Sequence, residues 1–185
     1  MRRASGCVAI MAICALSSCS SSSSKSSSPT TPIPDATSAS TIPTTAGGAS
    51  KLGNIDPCTL LDPQVVQQAV GNAVGAAEHA GTACNWRSGN LGDVDVVLIL
   101  DPLGDPVAKC ARAGKASTGR TVSAVNGLGT TAYFDYRAAG AASNGDLTVC
   151  RKDGLVLLGL VGNKPNAAMQ AAAVALARHV LAKLS

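Results

Sequence analysis

The apolar residues of this chain recur on two different periods, and the switches between them mark out the elements. Val94 to Leu100 runs almost unbroken through Val, Leu and Ile and is closed by Asp101-Pro102, the pattern of a buried strand. Ala83 to Ser88 also reads as a strand, with Cys84 and Trp86 two residues apart and therefore on one face. Thr121 to Val125 and Thr130 to Tyr136 are strand-like and are split by Gly127-Leu128-Gly129. Leu147 to Arg151 and Leu155 to Val161 flank Lys152-Asp153-Gly154, which predicts a hairpin turn.

A helical period appears three times. Asp62-Pro63 places a capping carboxylate before a Pro suited to a first turn, Leu61 and Val66 stand at staple positions, and Gly71 ends the segment, so Gln64 to Val70 is predicted helical. Asp56-Pro57 carries the same start signal. Asp105-Pro106 opens a second helix over Val107 to Ala113, stopped by Gly114. The last runs from about Asn166 to Leu184, where Met169, Ala173, Leu176, Val180 and Leu184 make one apolar stripe with Arg178 on the opposite side. The order of elements predicts the α+β class: an antiparallel sheet with helices packed on one face, as a single domain over residues 51–185.

Upstream of Lys51 both periods vanish. Of the 31 residues from Ser20 to Ser50, 11 are Ser, 6 Thr and 4 Pro, and Ile33 and Ile42 are the only bulky apolar residues. Such a segment buries too little apolar surface to offset the entropy of ordering it, so a disordered tether is expected over residues 19–50. Before it, Arg2-Arg3 precedes an apolar run from Cys7 to Leu16, well short of the ~20 residues that span a bilayer. The run ends in Leu16-Ser17-Ser18-Cys19, which closely resembles the lipobox of bacterial lipoprotein signal peptides. The resemblance implies removal of residues 1–18, lipid on Cys19, and a chain anchored to the outer face of the cell membrane. Two or three acyl chains, at about 0.8 kcal/mol per buried methylene, hold far more firmly than one.

Charge and cysteine content narrow the partners. There are 15 Lys and Arg against 11 Asp and Glu, and loss of Arg2 and Arg3 leaves 13 against 11, a balance that gives no reason to expect nucleic acid. Aromatic residues are few, so the core must be Val, Leu, Ile and Ala, which bury less area each. Seven cysteines are present; Cys7 and Cys14 fall in the leader and Cys19 takes lipid. Cys58, Cys84, Cys110 and Cys150 remain, an even number in an exported chain, which points to two disulfides among three possible pairings. None of them has the spacing of a zinc knuckle.

Three motifs carry a wider resemblance: Asp56-Pro57-Cys58-Thr59-Leu60-Leu61, Cys84-Asn85-Trp86, and Val125-Asn126-Gly127-Leu128-Gly129. Together they resemble an actinobacterial group of envelope lipoproteins that share a domain of unknown function. Cys110 and Cys150 are an addition to that group's simplest pattern. The resemblance implies a Cys58–Cys84 disulfide, leaving Cys110–Cys150 as the second.

No residue nominates itself for chemistry. Gly127-Leu128-Gly129 lacks the third Gly and the following helix of a phosphate loop and reads as a turn. His79 lies in a polar loop and His179 on the flank of the last helix's stripe, 100 residues away. Neither G-x-S-x-G nor H-E-x-x-H occurs. Tyr133, Phe134 and Tyr136 could form a stacking platform, although one face in the core and one at the rim is the commoner outcome. The expectation is a non-catalytic binding module with no catalytic residue, metal or cofactor, meeting an envelope protein, polymer or lipid. The alternative is a carrier of an apolar molecule such as a lipid, with the alanines of the last helix leaving room against the sheet.

Overall fold

The computed structural model describes residues 51–102, 105–115 and 118–185. The leader of residues 1–18 and the tether of residues 19–50, Cys19 included, lie outside the described residues. Among the described residues seven segments are extended: β1 (Glu78–Ala80), β2 (Ala83–Trp86), β3 (Asp95–Asp101), β4 (Thr121–Val125), β5 (Ala132–Ala139), β6 (Ala142–Arg151) and β7 (Gly154–Gly162). They form one sheet in the order β1-β2-β3-β7-β6-β5-β4, and every neighbouring pair is antiparallel. The helices are α1 (Pro63–Val70), α2 (Pro106–Ala113) and α3 (Asn166–Lys183), with 3-10 turns at Lys51–Asn54 and Pro57–Thr59. This is the α+β class with an antiparallel sheet.

Register explains how one sheet supports two different faces. Leu98, Leu158, Leu147 and Phe134 are successive cross-strand partners, and each is essentially inaccessible to solvent. That row belongs to the core face, which continues through Cys84 and Trp86 on β2 and Val156 and Leu160 on β7. Helix α3 covers it with Met169, Ala173, Leu176 and Val180, and α1 packs on α3, contributing Val66 and Val70. Lys164 reaches the Val70 carbonyl at the end of α1, and Lys183 donates to the Thr59 carbonyl at 3.0 Å. Both ends of α3 are thereby tied to the amino-terminal segment.

One residue along each strand, the partners become Val97, Gly159, Asp146 and Asp135, on the opposite face. Helix α2 packs there. Cys150 alternates with the core residue Val149, and its disulfide to Cys110 draws α2 onto this second face. Tyr133, also on this face, lies beneath Gly114, where a Cβ would come within 2.8 Å of its ring. The expectation of helices on one face therefore describes α1 and α3, while α2 sits alone on the other. None of its own residues is fully buried. It covers the end of that face where Leu155 is buried and Lys109 pairs with Asp101. Among the described residues nothing covers the stretch around Val97, Gly159 and Val161.

Two of the three Asp-Pro start signals cap the turns they precede. Asp105 accepts from the Val107 and Ala108 amides at 2.9 and 3.1 Å, and Asp56 from the Cys58 amide at 2.8 Å. Asp62 holds the N-cap position of α1 in extended backbone, yet its side chain caps no amide. Gly71 ends α1 at φ 71°, a left-handed conformation that favours glycine. Two further features differ from expectation. His79 lies on the short strand β1 and not in a loop, and β5 and β6 extend past Tyr136 to a two-residue turn at Gly140-Ala141.

Candidate functional site

Three places could carry chemistry or recognition. The first is the groove beside the opening 3-10 turns, about 330 Å³, lined by Ile55, Asp56, His79, Leu100 and Pro102 among others. Donor atoms of Asp56, Cys58 and His79 lie within 4.8 Å of one another there, a metal-like juxtaposition. Cys58, however, is bonded to Cys84, so its sulfur is not a thiolate and only two donors remain. Asp56 Oδ1 already accepts the Cys58 amide and stands 3.6 Å from His79 Nδ1. The arrangement caps a turn and pairs two exposed side chains.

The second is the interface between α3 and the sheet. Ala172, Ala173 and Ala177 are buried, and a Cβ on Gly145 of β6 would lie 3.3 Å from the Met169 Cβ and 2.7 Å from the Phe134 ring. The small residues bring helix and sheet into close approach. Tyr136 adds a polar tie, its hydroxyl 3.0 Å from Ser143 Oγ and 3.2 Å from the Lys164 carbonyl oxygen. The aromatic trio is thus absorbed by packing: Phe134 in the core, Tyr136 at its edge, Tyr133 under the end of α2.

The third is the uncovered second face. Val97 and Ile99 of β3 and Leu157 of β7 are only half-buried, and Val161 is 44 % exposed. Gly159 sits among them without a side chain, so the surface dips into a depression of about 380 Å³. Its walls are apolar except on the β6 side, where Asp146 stands opposite Gly159. A Cβ on Gly159 would be 3.4 Å from Asp146 Oδ1, which shows how far that oxygen leans over the floor.

The carboxylate is held from behind. Arg120 donates from Nη2 to Asp146 Oδ2 at 2.8 Å and from Nε to Asp135 at 2.8 Å, so one guanidinium is shared by two carboxylates. Burial against the apolar walls pushes the Asp146 carboxyl above the ordinary range; Arg120 opposes this and Asp135 adds to it. Its side chain is nonetheless 51 % exposed, so the group remains open to an arriving ligand. Arg120 is held above its usual value, first by its hydrogen bond to Asp135.

The disulfides join Cys58 to Cys84 and Cys110 to Cys150, the pairs that the resemblance implies, with Cα atoms 5.1 and 5.7 Å apart. Gly127-Leu128-Gly129 is the turn between β4 and β5, with φ of 82° and 72° at its glycines. His179 is exposed on α3. Among the described residues no helix is long and apolar enough to cross a membrane. The depression at Gly159 was not nominated from sequence. Its signal is the continuous apolar run of β3, which implies burial on both faces, set against a second face that among the described residues receives only the eight residues of α2. No protein-family model matches the chain, and comparison with curated proteins and with solved structures finds no match.

Proposed function

We propose that this chain is an exported, lipid-anchored envelope protein whose domain from Lys51 onward is a non-catalytic binding module. The same reading places it with the actinobacterial envelope lipoproteins that its three motifs resemble. The observation that carries the binding reading is the apolar stretch of sheet around Gly159, left open beside α2. A face of Val, Ile and Leu left in water has an unfavourable hydration free energy, and on a monomer such patches mark interaction sites. The anchor reading rests on Leu16-Ser17-Ser18-Cys19 and on the Ser/Thr/Pro composition that follows.

The carrier alternative drew its support from the alanines of α3. Ala172, Ala173 and Ala177 are buried in a close helix–sheet contact, which takes away room at those positions. Ala167, Ala171 and Ala175 line a shallow groove of about 570 Å³ against β4 that is open to solvent. Recognition at an open face is the reading that this arrangement supports better. Native mass spectrometry of the full chain, extracted from membranes in mild detergent, separates the two. The binding module gives a mass free of bound lipid apart from the anchor. A second, non-covalent lipid retained stoichiometrically would count for the carrier instead. Cys19→Ala should abolish incorporation of labelled fatty acid and release the chain from the membrane fraction; continued labelling would contradict the anchor.

A further inference from the structure

We propose that the depression at Gly159 receives a lysine side chain from an apolar, extended segment of a partner protein, with the lysine ammonium held by Asp146. The proposal rests on the binding-module reading and names the chemistry of its partner. Three observations support it.

Shape comes first. Gly159 removes one side chain from an otherwise filled lattice, so the floor is backbone and the walls are Val97, Leu157 and Val161, with Ile99 diagonal to them. A gap of this kind takes the stem of an aliphatic side chain. Lysine is suited to it, because its four methylenes lie against apolar surface while the charged end seeks a polar partner.

The second observation is where the polar partner stands. Asp146 Oδ2 is occupied by Arg120, whereas Oδ1 is turned over the floor and accepts no hydrogen bond from the described residues. Arg120 is itself braced by Asp135, with Nε 2.7 Å from the second carboxylate oxygen, so Asp146 is fixed before any ligand arrives. The site presents one oriented acceptor at the lip of an apolar pit.

Charge is the third. Asp135, Asp146 and Arg120 sum to one net negative charge, which a single cation neutralises. Asp95 lies on the other side of β7, opposite Val161, with its Oδ1 accepting from the Ser88 amide at 2.6 Å. Two strand spacings across and two residues along, roughly 12 Å in all, separate it from Asp146. Arg137, on β5, is exposed and lies a further strand away, opposite Asn144. Helix α2, on the same face, adds Lys109, which pairs with Asp101, and Arg112, so carboxylates and cations of the whole face balance. What favours a cation at the pit is Asp146 itself, whose Oδ1 is turned over a floor with apolar walls.

The test uses the full chain carrying Cys19→Ala and two labelled peptides, acetyl-Val-Lys-Val-amide and the same peptide with norleucine for lysine. The lysine peptide should bind about tenfold or more tightly than its uncharged analogue, the change expected of one charge-assisted hydrogen bond. Asp146→Asn should remove that preference while leaving norleucine binding unchanged. Gly159→Val should weaken both peptides by filling the pit, with an unchanged thermal midpoint showing that the fold persists. Equal binding of the two peptides, or a lysine preference that survives Asp146→Asn, would overturn the proposal. So would binding to phosphatidylethanolamine vesicles, lost in Gly159→Val, without peptide binding, because the occupant would then be a lipid amine. If neither peptide binds while the face around Val161 still contacts an envelope component, the lysine assignment fails and the binding module stands.

Discussion

Two glycines show how differently the two faces of the sheet treat a single methyl group. Gly145 and Gly159 sit in adjacent strands, neither at positive φ. A Cβ on Gly145 would meet the Phe134 ring at 2.7 Å and Met169 at 3.3 Å; one on Gly159 would find nothing closer than 3.4 Å. Gly145→Ala should therefore cost about 1–3 kcal/mol as an overpacked core does, whereas Gly159→Ala should be close to neutral. Urea unfolding of the two variants checks this, and equal losses would mean that the second face is as closed as the first. Charge at the residue scale gives a pH dependence. Arg151 donates to Asp153 at 2.9 Å within the β6–β7 turn, and this hydrogen bond is the main reason the Asp153 carboxyl is held below its ordinary range. A carboxyl depressed in the folded state stabilises above its unfolded pKa of about 3.9 and loses that contribution as pH falls through the folded value. Asp153→Asn should flatten the acid limb of stability measured between about pH 5 and 2, where this group titrates. An unchanged acid limb would exclude Asp153 from that role.

At the scale of elements, the sequence was most legible where local chemistry decides the outcome. Asp105 and Asp56 cap the turns that their Asp-Pro signals announce, and Gly71 ends α1 in the left-handed region. The core strands β3 and β7 stand out because their apolar runs leave little choice of structure. Strand β1 was not legible: Glu78-His79-Ala80 is short, exposed and polar, and only pairing with β2 makes it a strand. The extension of β5 and β6 was hidden in the same way, since Arg137, Ala138 and Ala139 carry no alternation and follow from pairing across Gly140-Ala141. Gly114 reads from sequence as a helix stop, but its backbone is right-handed and the tyrosine beneath it is what requires glycine. Two element-level outcomes follow. Ala173→Leu should destabilise by about 1–3 kcal/mol, because α3 lies close on the sheet; a neutral result would restore the room that a lipid carrier needs. Removing Cys110 and Cys150 as serines should free α2, whose disulfide closes a separation of 40 residues and contributes about 4 kcal/mol in the chain-entropy estimate. Hydrogen exchange should then show protection lost over residues 106–113 while β3, β6 and β7 keep theirs. Collapse of the whole sheet would mean that α2 supports the core.

The Ser-, Thr- and Pro-rich sequence of residues 20–50 contrasts with residues 51–185, which hold nearly all the periodic apolar residues. A chain beginning at Lys51 should accordingly melt within a few degrees of one beginning at Ser20, and a much lower midpoint would show that the Ser/Thr segment packs on the domain. The proposed recognition face belongs to this scale. Each strand's alternation can be read from its own residues, but which face a short helix covers depends on Cys110 finding Cys150 and on the order of seven strands. That is why the pit at Gly159, unlike the caps, appears only once the sheet is assembled. The central claim is that this open face is where the protein meets its partner. Site-specific photo-cross-linking in intact cells tests it, with the reactive residue placed at Val161 in the full-length chain and, as a control, at the fully exposed Leu91. A discrete adduct formed at 161, absent at 91 and lost with Gly159→Val, is the result expected; equal labelling at both positions, or none at 161 in membrane-bound protein, would contradict it.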